Sequence, residues 1–349
     1  MNLIGINDIP VDPVPAQSRW RKVGNILLHC VGLVVFVWLV WRCDWRAMLR
    51  SWQTLRGDLF ALGCLLFPVM MIFKTWRFQA LTQRTVGRIS LGRAWIVYLA
   101  AYFVGIITPG RLGEFARVRY LVKSHQVTVA RAFRPVLIDR MFDVLCLVAV
   151  GLLGWAALGL RGIEGMTTTR VALLGIVAIV LLTGPLWGSP AIRALGQWAP
   201  SRSKFSKLMA WLEETLSIFY TPLGGLCAAM TLLAYLVGFL QAWLIVKAMG
   251  INNIAYPDMC VLMASICLAM LLPVSVSGFG TREGAAVLLM GQVYGIAAEQ
   301  AIAFSLLYFV MSNVIGGLSG GVCYLFMPLC RPAEDMSPTR LKGESQDIL

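Results

Sequence analysis

The stretch that decides the fold is Ile107-Thr108-Pro109-Gly110-Arg111-Leu112-Gly113-Glu114, which directly follows an apolar run. A second stretch, 272–283, repeats this combination nearly half a chain later, with proline and glycines before an arginine and a glutamate. Proline and glycine interrupt helices, and a bilayer does not tolerate unpaired backbone groups. Two such breaks in two halves predict a transporter-type site inside the protein or against a water-filled cavity. The predicted backbone breaks are Pro109, Gly110, Gly113, Pro273, Gly278 and Gly280.

The composition predicts an all-α polytopic membrane protein. Of the 349 residues, 58% are hydrophobic and only 13% are charged. Apolar runs near 20 residues are long enough to cross the hydrocarbon core. The predicted spans are Val23–Trp41, Gly57–Phe73, Val136–Leu160, Val171–Gly188, Gly224–Val246 and Ala301–Met327. The net charge of +13 lies mainly in short loops, which indicates membrane orientation and lipid headgroups and argues against a nucleic-acid partner.

Two arrangements of the spans fit the sequence. One is an inverted-repeat bundle of about six full spans plus two re-entrant or broken helical hairpins, at 94–122 and 257–298. It puts 20 basic residues on one face and 7 on the other, which the positive-inside rule favours. The alternative is a set of eight or nine simple spans. The first arrangement predicts that both termini are cytoplasmic.

The sequence divides into three parts around one transmembrane domain. Residues 1–22 are predicted as a cytoplasmic N-terminal segment, 23–327 as the domain, and 328–349 as a disordered cytoplasmic tail. Within the domain, Lys204–Tyr220 has apolar residues at helical spacing and predicts an amphipathic helix on the cytoplasmic surface. The nine cysteines lie mostly in apolar runs without metal-site spacing, so neither a metal nor a cofactor is expected.

A third charged segment lies within the apolar run that begins at Val136. Asp139 and Asp143 are four residues apart and share one helix face, and Arg140 can pair with Asp143. Charges at such positions are costly in lipid and are expected to face the interior and pair. The candidate substrate-binding or gating residues are Arg111, Glu114, Asp139, Arg140, Asp143, Arg282 and Glu283. Two hypotheses stay open for them: a structural ion-pair network, or a site where arginine binds a lipid phosphate.

The three motifs together resemble a known family. Pro-Gly-Arg-Leu-Gly-Glu at 109–114, Asp-Arg-x-x-Asp at 139–143 and the glycine-rich segment at 273–283 occur in that order. The chain thereby resembles the lysylphosphatidylglycerol synthase transmembrane-region family, also described as flippase-like membrane proteins, over roughly 20–327. In bifunctional members this module is thought to move aminoacylated phospholipid, while a separate cytosolic domain makes it. The resemblance implies a stand-alone module here, without the synthase activity and with the substrate undetermined.

The leading functional hypothesis is translocation of a charged-headgroup lipid, phospholipid or isoprenoid-linked, across the bacterial inner membrane. No nucleotide-binding P-loop occurs in the sequence, so transport is expected to be facilitated or ion-coupled. Two alternatives remain: a membrane-embedded lipid-modifying transferase that uses the acids as general bases, and an accessory subunit of a lipid-synthesis complex, such as one for hopanoids. Membrane lipids are the expected partners. A lipid-synthesis enzyme and a second copy of the chain are the candidate protein partners.

The charge distribution predicts a cytoplasmic loop at 189–223, because basic residues concentrate there. A cysteine introduced near position 202 should therefore resist an impermeant thiol reagent in intact cells and react after the membrane is opened. Ready labelling from outside in intact cells would reverse the predicted orientation.

Overall fold

The computed structural model describes residues 52–53, 55–108, 111–157, 204–271 and 278–327, and within these ranges all regular structure is helical. This confirms the all-α membrane class. The predicted spans Val23–Trp41 and Val171–Gly188, the terminal segments and the break residues Pro109, Gly110 and Pro273 lie outside the described residues. The helices are α1 Gly57–Thr85, α2 Leu91–Ile107, α3 Ala116–His125, α4 Val129–Ala157, α5 Lys204–Ser217, α6 Pro222–Ala248, α7 Tyr256–Met270, α8 Thr281–Tyr294, α9 Ala298–Phe309 and α10 Ile315–Phe326.

Among the described residues, three helical stretches are long and apolar enough to cross a membrane: α1, α6 and the continuous run Ala298–Phe326. In that run, α9 and α10 are joined by one π-helical turn at Val310–Val314. The predicted span Gly57–Phe73 was too short, since α1 continues to Thr85. The apolar run ends at Phe73, but the helix goes on, with Arg77 fully buried and Lys74 largely buried against other helices.

The first break follows α2, as the sequence predicted. Arg111 has a left-handed backbone (φ 56°), which costs a non-glycine residue about 1–2 kcal/mol. A 3-10 turn at Leu112–Phe115 then leads into α3. Gly113 packs so closely on the end of α2 that a Cβ atom there would lie 2.4 Å from the Val104 carbonyl oxygen. The chain therefore folds back against α2 only because this position lacks a side chain.

The second break lies between α7 and α8, which pack against each other. Gly278 (φ 77°) and Gly280 (φ 81°) both have backbone angles that side chains disfavour. Gly280 precedes α8, and its N–H donates to Glu283 Oε2 at 2.7 Å, so Glu283 caps its own helix. Both breaks are thus present between helices. That the two hairpins are re-entrant and related as an inverted repeat stays a prediction.

Small residues bring the remaining helices together. α1 packs along α6, α7 packs against α4, and α10 packs along α2. On α10, a Cβ atom at Gly320 would lie 2.4 Å from the Leu99 carbonyl oxygen, and one at Gly316 would lie 2.6 Å from the Tyr102 ring. This is the close helix approach that glycines four residues apart predict. The predicted amphipathic segment forms α5, Lys204–Ser217.

We expect Gly113→Ala to destabilise the protein by about 1–3 kcal/mol. The added Cβ atom would clash with the Val104 carbonyl oxygen, which cannot move without distorting α2. The measurement is thermal unfolding of the purified protein in detergent. Gly92→Ala is the matched control, since it lies in the first turn of α2 with no atom within 4 Å of an added Cβ. Equal melting temperatures for the two variants would contradict the close approach.

Candidate functional site

A cavity of about 110 Å³, lined by both charged and apolar side chains, lies between α1, α2, α4, α6, α7 and the π-turn. By the same measure a buried water needs about 10–15 Å³, so the cavity has room for several waters or a small polar group. Its charged lining comes from Lys74, Arg111, Glu114, Arg140 and Asp143, and its aromatic lining from Tyr98, Tyr102, Tyr235 and Tyr308. Four of the seven predicted site residues thus line the cavity: Arg111, Glu114, Arg140 and Asp143.

Arg77 joins the helices behind this cavity. Its side chain is fully buried, and its Nε donates to Asp139 Oδ1 at 2.8 Å. Its Nη1 donates to Asp143 Oδ1 at 2.9 Å and to Thr231 Oγ1 at 2.6 Å. One guanidinium on α1 thus holds two carboxylates of α4 and a hydroxyl of α6. Arginine can make these bonds because its guanidinium is planar and has several N–H donors, whereas the lysine ammonium is a single point charge.

Arg117, on α3, holds the other side of Asp139. Its Nη1 donates to Asp139 Oδ2 at 3.0 Å, and its Nε donates to the Glu114 backbone carbonyl at 3.0 Å. Its guanidinium also lies over the rings of Tyr98 and Phe78, at 4.6 and 4.9 Å from the centroids. Asp139 is therefore satisfied by two arginines and lies behind the cavity wall, fully buried.

Arg140 and Lys74 are the partners that reach the cavity. Arg140 forms a close ion pair with Glu114 and lies 3.7 Å from Asp143 Oδ2, and its side chain remains 21% exposed. Lys74 Nζ lies 3.8 Å from Asp143 Oδ1 and 4.5 Å from the centroid of the Tyr235 ring. Both cations share a carboxylate that Arg77 already neutralises.

Arg111 has the weakest partners of these cations. In the part of the chain that the structure describes, it forms no ion pair with a carboxylate. Its Nη2 approaches Asn313 Oδ1 at 3.5 Å, and its guanidinium lies 5.3 Å from the centroid of the Tyr102 ring. Asn313 belongs to the π-turn, a distortion frequent at functional sites. An arginine that faces a cavity with so few acceptors is available to a ligand.

The charges around the cavity do not balance. The central cluster, as we name it, contains five cations and three carboxylates among the described residues: Lys74, Arg77, Arg111, Arg117 and Arg140 against Glu114, Asp139 and Asp143. In a low-dielectric environment an excess of two positive charges is unfavourable unless an anion approaches. The arrangement therefore favours a ligand with one or two negative charges.

Arg282 and Glu283 lie apart from this cluster. They are buried and pair with each other, and Ser305 Oγ lies 2.7 Å from Arg282 Nε and 3.0 Å from Glu283 Oε1. The Arg282 guanidinium lies over the Phe309 ring, 5.0 Å from its centroid. Neither residue belongs to the described lining of the cavity. The Glu283 carboxylate caps α8 and pairs locally. That Glu283 acts at one site with Glu114 and Arg140 stays a prediction, because residues 272–277 lie outside the described chain.

Sequence reasoning missed Lys74, Arg77 and Arg117. It ended the predicted span Gly57–Phe73 at Phe73, and it assigned Lys74 and Arg77 to one cytoplasmic loop and Arg117 to another. An available signal was the helical pattern of α1, which continues through 74–85 without proline or glycine. Three of the basic residues counted as loop residues are thus buried in the central cluster. These three residues therefore do not count toward the loop charge. The basic residues that remain in the loops still favour the same cytoplasmic face.

The comparison with protein families identifies the chain. It belongs to the family described as lysylphosphatidylglycerol synthase TM region, whose profile matches residues 26–320. The match includes all three sequence motifs and every residue of the central cluster. A comparison with curated proteins gives no match.

We expect Arg77→Gln to destabilise the protein by about 3–5 kcal/mol, because it leaves two buried carboxylates with fewer partners. Unfolding in detergent measures the change. Arg84→Gln on the same helix is the control, since Arg84 is exposed and should shift stability by less than about 0.5 kcal/mol. Equal stability of the two variants would mean that Arg77 does not hold the helices.

Proposed function

We propose that this member of the lysylphosphatidylglycerol synthase TM-region family moves a lipid with a phosphate-bearing headgroup across a bacterial inner membrane. The family description associates the chain with membrane lipids. The observation that carries the proposal is the excess of two positive charges in the central cluster, part of which lines a cavity. A phosphodiester brings one negative charge and a phosphomonoester up to two, so either reduces the excess.

Arg111 is the residue to which we assign the first contact with the headgroup. It faces the cavity, and its guanidinium offers the two parallel N–H donors that bind a phosphate. Lys74 lines the same cavity and adds a point charge on the α1 side. Tyr98, Tyr235 and Tyr308 line the same cavity and can offer hydroxyl groups to the polar headgroup. The acyl or isoprenoid chains would stay in the lipid.

The break after α2 would couple binding to movement. Arg111 and Glu114 lie on the same short turn, and Glu114 pairs with Arg140 of α4. A phosphate drawn to Arg111 also competes with Glu114 for Arg140, whose side chain is partly open to the cavity. Exchange of that partner would release the turn from α4 while Arg77 keeps the helices together. The central cluster would then have a fixed part around Arg77 and an exchangeable part, the Glu114–Arg140 ion pair.

Reconstitution into liposomes tests the function. Purified protein should move a fluorescent phosphatidylglycerol between leaflets, and move a galactosyl diacylglycerol, which has no phosphate, much more slowly. A covalent change in the lipid would instead support the membrane-embedded transferase. Activity that appears only after a lipid-synthesis enzyme is added would support the accessory subunit. Equal rates of movement for the two lipids would show that the protein does not recognise the phosphate, and would contradict the proposal.

We expect Arg111→Gln to lower phosphatidylglycerol transport about tenfold or more, since a charge-assisted hydrogen bond is worth about 1.5–3 kcal/mol. Arg111→Lys should fall between the wild type and Arg111→Gln, because it keeps the charge and loses the fork. Thermal stability should hardly change in either variant.

Arg140→Lys is the matched comparison, because Arg140 has two carboxylate partners and Arg111 has none among the described residues. Its transport and stability should fall together. Transport that survives Arg111→Gln, or a stability loss in Arg111→Gln as large as in Arg140→Lys, would make Arg111 a structural residue.

A further inference from the structure

A second cavity, of about 430 Å³, lies where the end of α1 and the start of α4 meet α5. Its volume falls within the range of about 300–1,000 Å³ usual for small-molecule sites. None of the residues of the central cluster lines it. The residues that decide its chemistry are Arg84, Thr128, Arg131, Arg134, Trp211 and Glu214.

The charges of this surface cavity favour an anion. Its lining has three arginines and one carboxylate, Glu214. Arg84 is exposed and has no hydrogen-bond or ion-pair partner within the described ranges. Arg131 donates from Nε to the Thr85 carbonyl at 2.9 Å, which fixes the side chain and leaves its two Nη groups for a ligand. The guanidinium of Arg131 is therefore preoriented.

The first turn of α4 adds to the positive potential of this cavity. The helix begins at Val129 after Thr128, whose hydroxyl accepts from the Arg131 N–H at 3.4 Å. A helix of 29 residues presents about half a positive charge and free N–H groups at this end. An independent feature is Arg134, which is only 8% exposed and whose Nε has no hydrogen-bond partner in the described chain. A buried arginine with an unsatisfied donor favours an acceptor nearby.

Helix α5 forms the outer wall of the cavity. Trp211 Nε1 donates to the Ala130 carbonyl at 3.0 Å, and its ring lies 5.9 Å from the Arg134 guanidinium. Glu214 forms a close ion pair with Arg134, although its own side chain is 67% exposed. An exposed carboxylate is free to leave, so Glu214 occupies Arg134 in the way that a bound anion would.

We propose that this surface cavity binds a phosphate group, and that Glu214 is its internal competitor. The phosphate belongs either to a lipid headgroup at the membrane surface or to a soluble phosphate compound, since both present the same oxygens to arginine. The proposal is independent of transport, because it uses none of the residues of the central cluster.

Two binding measurements on the full chain separate the two sources. In nanodiscs of digalactosyl diacylglycerol, a bilayer lipid without phosphate, inorganic phosphate is titrated at constant ionic strength and detected by thermal stabilisation. In phosphate-free buffer, nanodiscs with phosphatidylglycerol are compared by the number of these lipids that the protein retains in native mass spectrometry. The variants are Arg84→Gln, the double variant Arg84→Gln with Arg131→Gln, and Glu214→Gln. Arg88→Gln is the control, an exposed arginine outside the cavity.

We expect binding in at least one measurement, weakened about tenfold by Arg84→Gln and further by the double variant, and unchanged in Arg88→Gln. Glu214→Gln should strengthen it, because the substitution frees Arg134 and removes a negative charge. Arg84→Gln breaks no contact given by the structure, so its effect does not depend on folding. Arginine-sensitive binding of phosphate alone identifies a soluble ligand, and arginine-sensitive retention of phosphatidylglycerol identifies a headgroup. Binding in neither measurement, or equal binding by Arg84→Gln and Arg88→Gln, overturns the proposal.

Discussion

The pairing of Arg77 with Asp139 and Asp143 is the interaction on which the rest of the site depends. Neither carboxylate could remain ionised in the apolar interior without a cation, and Arg77 serves both with one planar group. Because its partners lie on α4, the ion pairs fix α1 against that helix, and Thr231 extends the contact to α6. A single guanidinium therefore ties three helices together at one level.

Burial separates the central cluster into a fixed part and an open part. Arg77, Arg117 and Asp139 are fully buried and have carboxylate or arginine partners on other elements. Arg111 and Arg140 line the cavity instead; Arg111 has only weak partners, and Arg140 pairs with Glu114 but stays 21% exposed. The structural hypothesis thus fits the buried residues of the central cluster, and the ligand-binding hypothesis fits those that line the cavity. The fixed part makes it possible to hold an excess of charge at the cavity, since an unsupported cation there would reorient toward water.

The sequence was sufficient to predict the all-α membrane class and the two breaks after α2 and α7, because apolar runs and proline or glycine act locally. It also found Asp139 and Asp143, since charges inside an apolar run are conspicuous. It could not find their main partner, because Arg77 is 62 residues from Asp139 and lies where the apolar run seemed to end. The sequence also could not show that Gly280 and Ser305 satisfy the Glu283 carboxylate, because these contacts depend on the fold around α8.

Helix α4 contributes to both cavities at different heights. Arg134 lies beside the surface cavity and Arg140 at the central one, and six residues of helix separate them by about 9 Å along the axis. The two positions have different restraints: an exposed Glu214 neutralises Arg134, and a buried Glu114 neutralises Arg140. Removing an exposed partner costs little, whereas removing a buried one exposes a charge to a low dielectric. An anion can therefore enter the surface cavity without movement of the helices, but can take Arg140 only if the turn that carries Glu114 moves.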